Sequence, residues 1–237
     1  MPEVGSGKAF SLVTATNPYA KDINRLISSI SPSGKIVLQE DFENTAPTTI
    51  PWTLWNPGTI AYSTAFAFRG QGSLLLTSTA VAGTVTNVRR HFSRLPNEMM
   101  GLEFWCRALD ADTREIRLGV YVYDGTHLRY CLARYTFATE LWAVYTPTGW
   151  INIGSFRYQN IVADECWTHL KIIGDPVSGN SVSLECGPTI FDLSGYSARA
   201  DIADVPPAAV ALFGIAPDEN VAKTIYVDDL IFTNEEA

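Results

Sequence analysis

The side chains able to do chemistry are spread thinly along this chain. Its three histidines, His91, His127 and His169, are scattered, and neither H-E-x-x-H nor G-x-S-x-G occurs. Hydrolysis of a glycosidic bond needs two carboxylates held close together, one to attack or activate water and one to protonate the leaving group. Asp110, Asp112 and Glu115 are the nearest approach, but they follow a strand-like segment in a turn-like stretch and read as a solvated loop. No glycine-rich loop leads from a strand into a helix, so no phosphate cradle is expected. The four cysteines, Cys106, Cys131, Cys166 and Cys186, form no CxxC pair and have no histidine at zinc-ligand spacing. Each lies in a strand-like stretch, where a buried thiol is expected.

Aromatic and arginine side chains make the more informative pattern. Along Met100–Ala108, Leu102, Phe104 and Cys106 alternate with Glu103, Trp105 and Arg107, so the two sets face opposite ways on a strand. In 115–124, Ile116, Leu118, Val120 and Val122 make a core side, and Arg117, Gly119, Tyr121 and Tyr123 the opposite one. The next segment is ambiguous: Leu128, Tyr130 and Leu132 alternate with Arg129, Cys131 and Tyr135. If these strands are neighbours, Trp105, Arg107, Arg117, Tyr121 and Tyr123 share one outward surface. Trp142, Tyr145 and Trp150 flank Pro147-Thr148-Gly149 and would add a second aromatic rim. Such a surface suits a protein interface, where these residue types concentrate binding energy, or stacking on a sugar. Trp52, Trp55 and Trp167 read as core.

The elements that must position these groups follow from pattern and composition. Residues 1–16 read as an arm. Asn17 then caps a short amphipathic helix, Pro18 suits its first position, Tyr19, Ile23, Leu26, Ile27 and Ile30 form its stripe, and Ser31-Pro32-Ser33-Gly34 ends it. A helix this short needs a docking partner, either its own sandwich or another subunit. From Ile36 the apolar period becomes two. About a dozen strands follow, punctuated by Asp124-Gly125, Thr148-Gly149, Asp175-Pro176 and Gly179-Asn180. That pattern implies two antiparallel sheets packed face to face. The expected organisation is an arm and helix over 1–35 and a β-sandwich over 36–237. The chain has 237 residues, 46% hydrophobic and 18% charged, enough to bury a sizeable core. Its net charge of −8 argues against nucleic-acid backbone binding. The longest apolar run, Ala208 to Ala216, is about half a bilayer span. With no secretory signal visible, synthesis in the cytosol is expected.

Several segments in order resemble the concanavalin A-like lectin/glucanase jelly roll. They are Asp41-Phe42-Glu43, Pro51-Trp52, Gly70-Gln71-Gly72-Ser73-Leu74-Leu75-Leu76, Trp167-Thr168-His169-Leu170-Lys171-Ile172, Phe191-Asp192-Leu193-Ser194-Gly195, and a closing Ile225-Tyr226-Val227-Asp228-Asp229-Leu230-Ile231-Phe232. The resemblance covers roughly residues 36–233. It implies an all-β jelly-roll sandwich. It also implies a structural calcium shared by the first and last strands, for which Asp41, Glu43, Asp228 and Asp229 are the matching positions. The paired glutamates of this fold's glycosidases, spaced like E-x-D-x-E on one strand, have no counterpart, so no catalytic activity is expected.

Function divides three ways, because one fold hosts many activities. The leading expectation is a virion structural protein, such as a phage capsid-decoration or tail-associated jelly roll in a homo-oligomer, its arm reaching a neighbour. The alternative is a carbohydrate-binding module, placed outside the cell, with a glycan partner. A glycoside hydrolase comes third. Neither nucleic acid nor membrane insertion is expected.

Overall fold

The computed structural model describes residues 34–43, 52–93, 99–108, 113–123, 125–156, 167–175, 178–202 and 208–236. All lie in the second of the two units into which the chain divides, Gly34–Ala237. The expected helix, with Tyr19, Ile23, Leu26, Ile27 and Ile30, lies outside the described residues, as does Cys166.

The described residues form sixteen strands and no helix. They are β1 (Lys35–Glu40), β2 (Thr53–Trp55), β3 (Gly58–Ser63), β4 (Ser73–Ser78), β5 (Thr86–Ser93), β6 (Met100–Ala108), β7 (Thr113–Tyr123) and β8 (His127–Thr136). Then come β9 (Leu141–Thr146), β10 (Gly149–Ser155), β11 (Thr168–Asp175), β12 (Asn180–Cys186), β13 (Thr189–Asp192), β14 (Arg199–Ile202), β15 (Ala208–Pro217) and β16 (Thr224–Asn234). The first sheet runs β13-β12-β11-β6-β16-β4-β3, and the second β10-β9-β8-β7-β15-β5-β2. Every pairing is antiparallel. The expected two-sheet sandwich is therefore present. The short β2, β3, β13 and β14 were not foreseen, because three to six residues give too little period to recognise.

Alternation fills the space between the sheets. Leu102, Phe104 and Cys106 of β6 face Ile116, Leu118 and Val120 of β7 within one core. Phe104 meets Phe213 of β15 at 5.4 Å, and Phe92 of β5 stacks on Phe232 of β16 at 4.5 Å, each pair tying one sheet to the other. Burying each such side chain contributes roughly 1.5–3 kcal/mol. Cys106, Cys131 and Cys186 lie buried, as expected, and burial pushes the Cys131 thiol up to about 12.

A break in β16 divides its outer edge between two partners. Leu230–Asn234 pairs with β1, and Thr224–Val227 pairs with β4. At the junction Asp229 takes a left-handed conformation, with φ 46°, which an aspartate tolerates better than a branched residue. The same break brings Asp228 and Asp229 to the loop between β3 and β4.

Candidate functional site

β6 and β7 are consecutive in the chain but belong to different sheets. The single surface expected from Trp105, Arg107, Arg117, Tyr121 and Tyr123 therefore does not exist. Trp105 and Arg107 lie on the outer face of the first sheet. Arg117, Tyr121 and Tyr123 lie on the outer face of the second, on the far side of the core. Period-two alternation shows which residues share a face of one strand, but not which strands are neighbours.

The centre of the first sheet's outer face is partly covered, while Ile190 of β13 at its edge is 68% exposed. The loop at 64–72 folds back over the centre, so that Phe68 stacks on Trp105 at 4.0 Å and meets Trp167 at 5.9 Å. Phe66 lies edge-on to Tyr226 at 5.0 Å, and the Arg107 guanidinium sits 3.9 Å over the Phe66 ring. Asp228 anchors the loop by accepting the backbone N–H of Phe68 at 2.8 Å and of Arg69 at 3.1 Å. Glu43 accepts the N–H of Gln71 at 2.9 Å and of Gly72 at 3.2 Å. Asp229 pairs with Arg69 at 3.2 Å. Burial raises Asp228 to about 6, against these backbone donors.

The four acids named for calcium thus do approach one another: burial raises the Asp229 pKa, Arg69 opposes it, and Asp41 and Glu43 add to the rise. Asp228 and Glu43 spend their oxygens on backbone N–H groups, and Asp229 pairs with Arg69 while its Oδ2 has no hydrogen-bond partner. Among the described residues no group of three or more His, Cys, Asp or Glu is placed to hold a metal ion. As folded, Asp228, Glu43 and Asp229 secure the 64–72 loop.

Beside this loop lies a buried ionic cluster. Lys171 of β11 reaches Glu103 of β6 at 3.5 Å and Glu236 of the C-terminal segment at 3.3 Å. His169 lies 3.8 Å from Glu103. Burial raises Glu103 to about 7 and lowers His169 to about 4. Thr233 donates to Glu236, and the backbone N–H of Glu236 donates to Met99 at 3.2 Å, closing the segment onto the sheet.

The outer face of the second sheet differs. Tyr121, Leu128, Leu132, Val210 and Leu212 form a second, smaller apolar cluster there, bordered by the half-buried Tyr123, Tyr130, Tyr145 and Trp150. A two-residue turn joins β9 to β10, with Gly149 at φ 112°, a conformation that suits glycine. Thr146 Oγ1 donates to the Gly149 carbonyl at 2.8 Å, and the register sets Trp150 opposite Tyr145. Their rings lie 4.9 Å apart. Tyr145 in turn meets Tyr130 at 5.9 Å, and Tyr130 meets Tyr121 at 4.9 Å.

Arginines stand behind this ladder. Arg134 and Arg117 approach the Trp150 ring at 4.4 and 5.4 Å. Arg199 donates to the Tyr145 hydroxyl at 2.8 Å and pairs with Asp201 at 2.8 Å. Glu115 accepts from Arg117 at 2.6 Å and Arg134 at 3.2 Å, and is only 4% exposed. The solvated loop expected at Glu115 is thus corrected: the residue is buried within β7 because the arginines surround it. Asp110 and Asp112 lie outside the described residues.

Other expectations divide. Trp142 is 1% exposed and packs inward on Tyr135 at 5.3 Å, so it belongs to the core and not to the rim. Trp52 is core, as expected. Trp55 is not: it is 39% exposed, with Arg89 4.4 Å over its ring. Trp167 is half-buried beneath the 64–72 loop. Tyr121 sits on the outer face but is buried. Arg89, Tyr130, Arg134 and Arg199 were missed, although the alternation of Leu128, Tyr130 and Leu132 held the signal.

No family model matches the sequence, and no curated protein matches it. Among solved structures, a botulinum neurotoxin type C structure described for its interaction with two ganglioside molecules is 11% identical, covering 86% of this chain and 48% of its own, with a TM-score of 0.50. The chain thus matches about half of that structure. The CBM22-1 xylan-binding domain of Paenibacillus barcinonensis is 14% identical, covering 87% and 99%, with a TM-score of 0.43. The carbohydrate recognition domain of Emp46p is 10% identical, covering 84% and 96%, with a TM-score of 0.49. At such identities likeness concerns the fold alone. The chain has the antiparallel two-sheet sandwich fold that the sequence resemblance implied.

Proposed function

We propose that this chain is a non-catalytic glycan-binding module whose ligand lies on the outer face of the second sheet. The observation behind this reading is the Tyr145–Trp150 pair, held on adjacent strands and backed by Arg117, Arg134 and Arg199. A flat ring on a rigid strand covers the apolar C–H face of a sugar at little entropic cost, and guanidinium N–H groups donate to its hydroxyls. Among the described residues, the two carboxylates on this face serve as arginine partners, Glu115 for Arg117 and Arg134, and Asp201 for Arg199. Neither is left to act as an acid or nucleophile, which favours binding over hydrolysis. The alternative of particle assembly through the N-terminal stripe rests on residues outside those described.

A glycan array probed with the full chain tests this proposal. Binding to at least one glycan class is expected, and Trp150→Ala should abolish it while leaving the fold intact by circular dichroism. Binding undiminished in that variant, or no binding to any glycan, would sink the reading.

A further inference from the structure

The proposed sugar face is built with a surplus of positive charge. Among the described residues, Arg89, Arg117, Arg134 and Arg199 project from it against two carboxylates, Glu115 and Asp201, in a chain whose net charge is −8. Glu115 has no capacity to spare. Its Oε2 accepts from both Nε and Nη2 of Arg117, and its Oε1 accepts from Arg134. Arg134 Nε and Arg89 Nε are buried without a hydrogen-bond partner. No carboxylate among the described residues pairs with Arg89. An unpaired buried donor is costly, and an anionic acceptor at the same guanidinium offsets that cost most effectively.

These arginines are also spaced. Arg89 lies on β5 and Arg134 on β8, and β15 and β7 run between them. Three inter-strand steps put the two groups about 14 Å apart. The ground between is apolar and closed to solvent, with Leu212 0% and Leu132 5% exposed, so a ligand would be held at the two ends. Leu212 pairs with Gly119, and Gly119 with Leu132, while Gly214 pairs with Arg117 in the next row. A Cβ added at Gly119 would meet the Cys131 carbonyl at 2.7 Å and Leu132 Cδ1 at 2.8 Å, so this position admits no side chain without movement. A tryptophan accompanies the arginine at each end: Trp150 with Arg134, and Trp55 with Arg89. Two aromatic–guanidinium pairs, one at each end of this strip, match an extended ligand with sugar faces to stack and negative groups to pair.

We infer that the ligand is an acidic oligosaccharide, bearing carboxylate or sulfate groups, laid across the strands from the Trp150–Arg134 pair to the Trp55–Arg89 pair. This rests on the glycan-binding reading and narrows it. Guanidinium is suited to both acids because its planar fork donates two parallel N–H groups to two oxygens.

Isothermal titration of the full chain would use three probes: a neutral xylohexaose, an oligogalacturonate hexamer and a sulfated galactose hexamer. At least one acidic hexamer should bind tenfold or more tightly than xylohexaose, and its affinity should fall as salt rises from 50 to 500 mM. Arg89→Gln, which removes no ion pair among the described residues, should weaken the acidic probe at least tenfold, and Arg89→Lys should restore part of that loss. Arg134→Gln should act likewise. Xylohexaose bound as tightly as both acidic hexamers, or acidic binding indifferent to salt and to Arg89→Gln, overturns the inference while leaving a glycan-binding face. Failure of all three probes, together with a blank array, overturns both.

Discussion

The two outer faces of this sandwich are made from the same residue types and put to opposite uses. On the first sheet Phe68 and Phe66 lie over the half-buried Trp105 and Arg107, and the charged groups Glu103, Lys171 and Glu236 are fully buried beside them. On the second, Tyr145, Trp150, Arg117 and Arg134 remain half-exposed. The difference lies in the connections. A nine-residue loop pinned by Asp228 and Glu43 closes one face, whereas a tight turn at Gly149 lifts Trp150 onto the rim of the other. Aromatic and arginine content alone does not mark a binding surface; what lies over it does.

The sharpest way to break this contrast is at the covered face. Lys171→Ala removes the ammonium held between the buried Glu103 and Glu236, and should cost about 3–5 kcal/mol in urea unfolding with glycan binding unchanged. A loss under about 1 kcal/mol would show that the cluster is not closed. At the open face the pattern reverses. Trp150→Ala should remove roughly 2 kcal/mol or more of binding, as expected of an aromatic anchor, and about 1 kcal/mol or less of stability, the scale of an exposed cation–π contact.

Proton linkage sharpens the comparison further. Glu103 titrates near 7 in the fold against an ordinary 4.5, because burial outweighs the attraction of Lys171. Folding therefore adds a proton, and its contribution is complete below pH 4.5 and lost as pH rises through 7. His169 titrates near 4 against 6.5, through burial and then the charge of Lys171. Its contribution is complete above pH 6.5 and lost as pH falls through 4. Between pH 4.5 and 6.5 the two oppose each other, with Lys171, Glu236 and Glu185 as the charges facing Glu103. His169→Asn should expose the Glu103 slope. Relative to the parent, the variant should lose up to about 1.4 kcal/mol per pH unit across that window. Parallel stability curves would contradict the linkage.

The smallest effect is expected from calcium. With Asp228 and Glu43 committed to the backbone, neither calcium nor a chelator should shift the thermal midpoint. A rise on adding calcium would restore the shared-metal expectation for Asp41, Glu43, Asp228 and Asp229.

Much of this was legible in the sequence. The alternation in β6 and β7 assigned Leu102, Phe104, Ile116 and Leu118 to the core correctly, because burial on one face leaves a period-two trace. The assembly of the site was not legible. Whether Trp105 joins Tyr121 depends on β16 and β11 pairing with β6, and on β15 pairing with β7, all contacts between distant parts of the chain. Trp142 misled because a tryptophan beside a turn fits a rim as well as a core, and inward packing on Tyr135 is a tertiary fact. Glu115 misled because acids near a strand end suggest solvent, while its partner Arg134 lies on the next strand.

Hydroxyl-radical footprinting of the six tryptophans, with and without the tightest-bound hexasaccharide, addresses the open face directly. Ligand should protect Trp150 and Trp55 from oxidation and leave Trp105 and Trp167 as they were. Protection at Trp105 or Trp167 with Trp150 unchanged would place the ligand on the covered face and contradict the assignment.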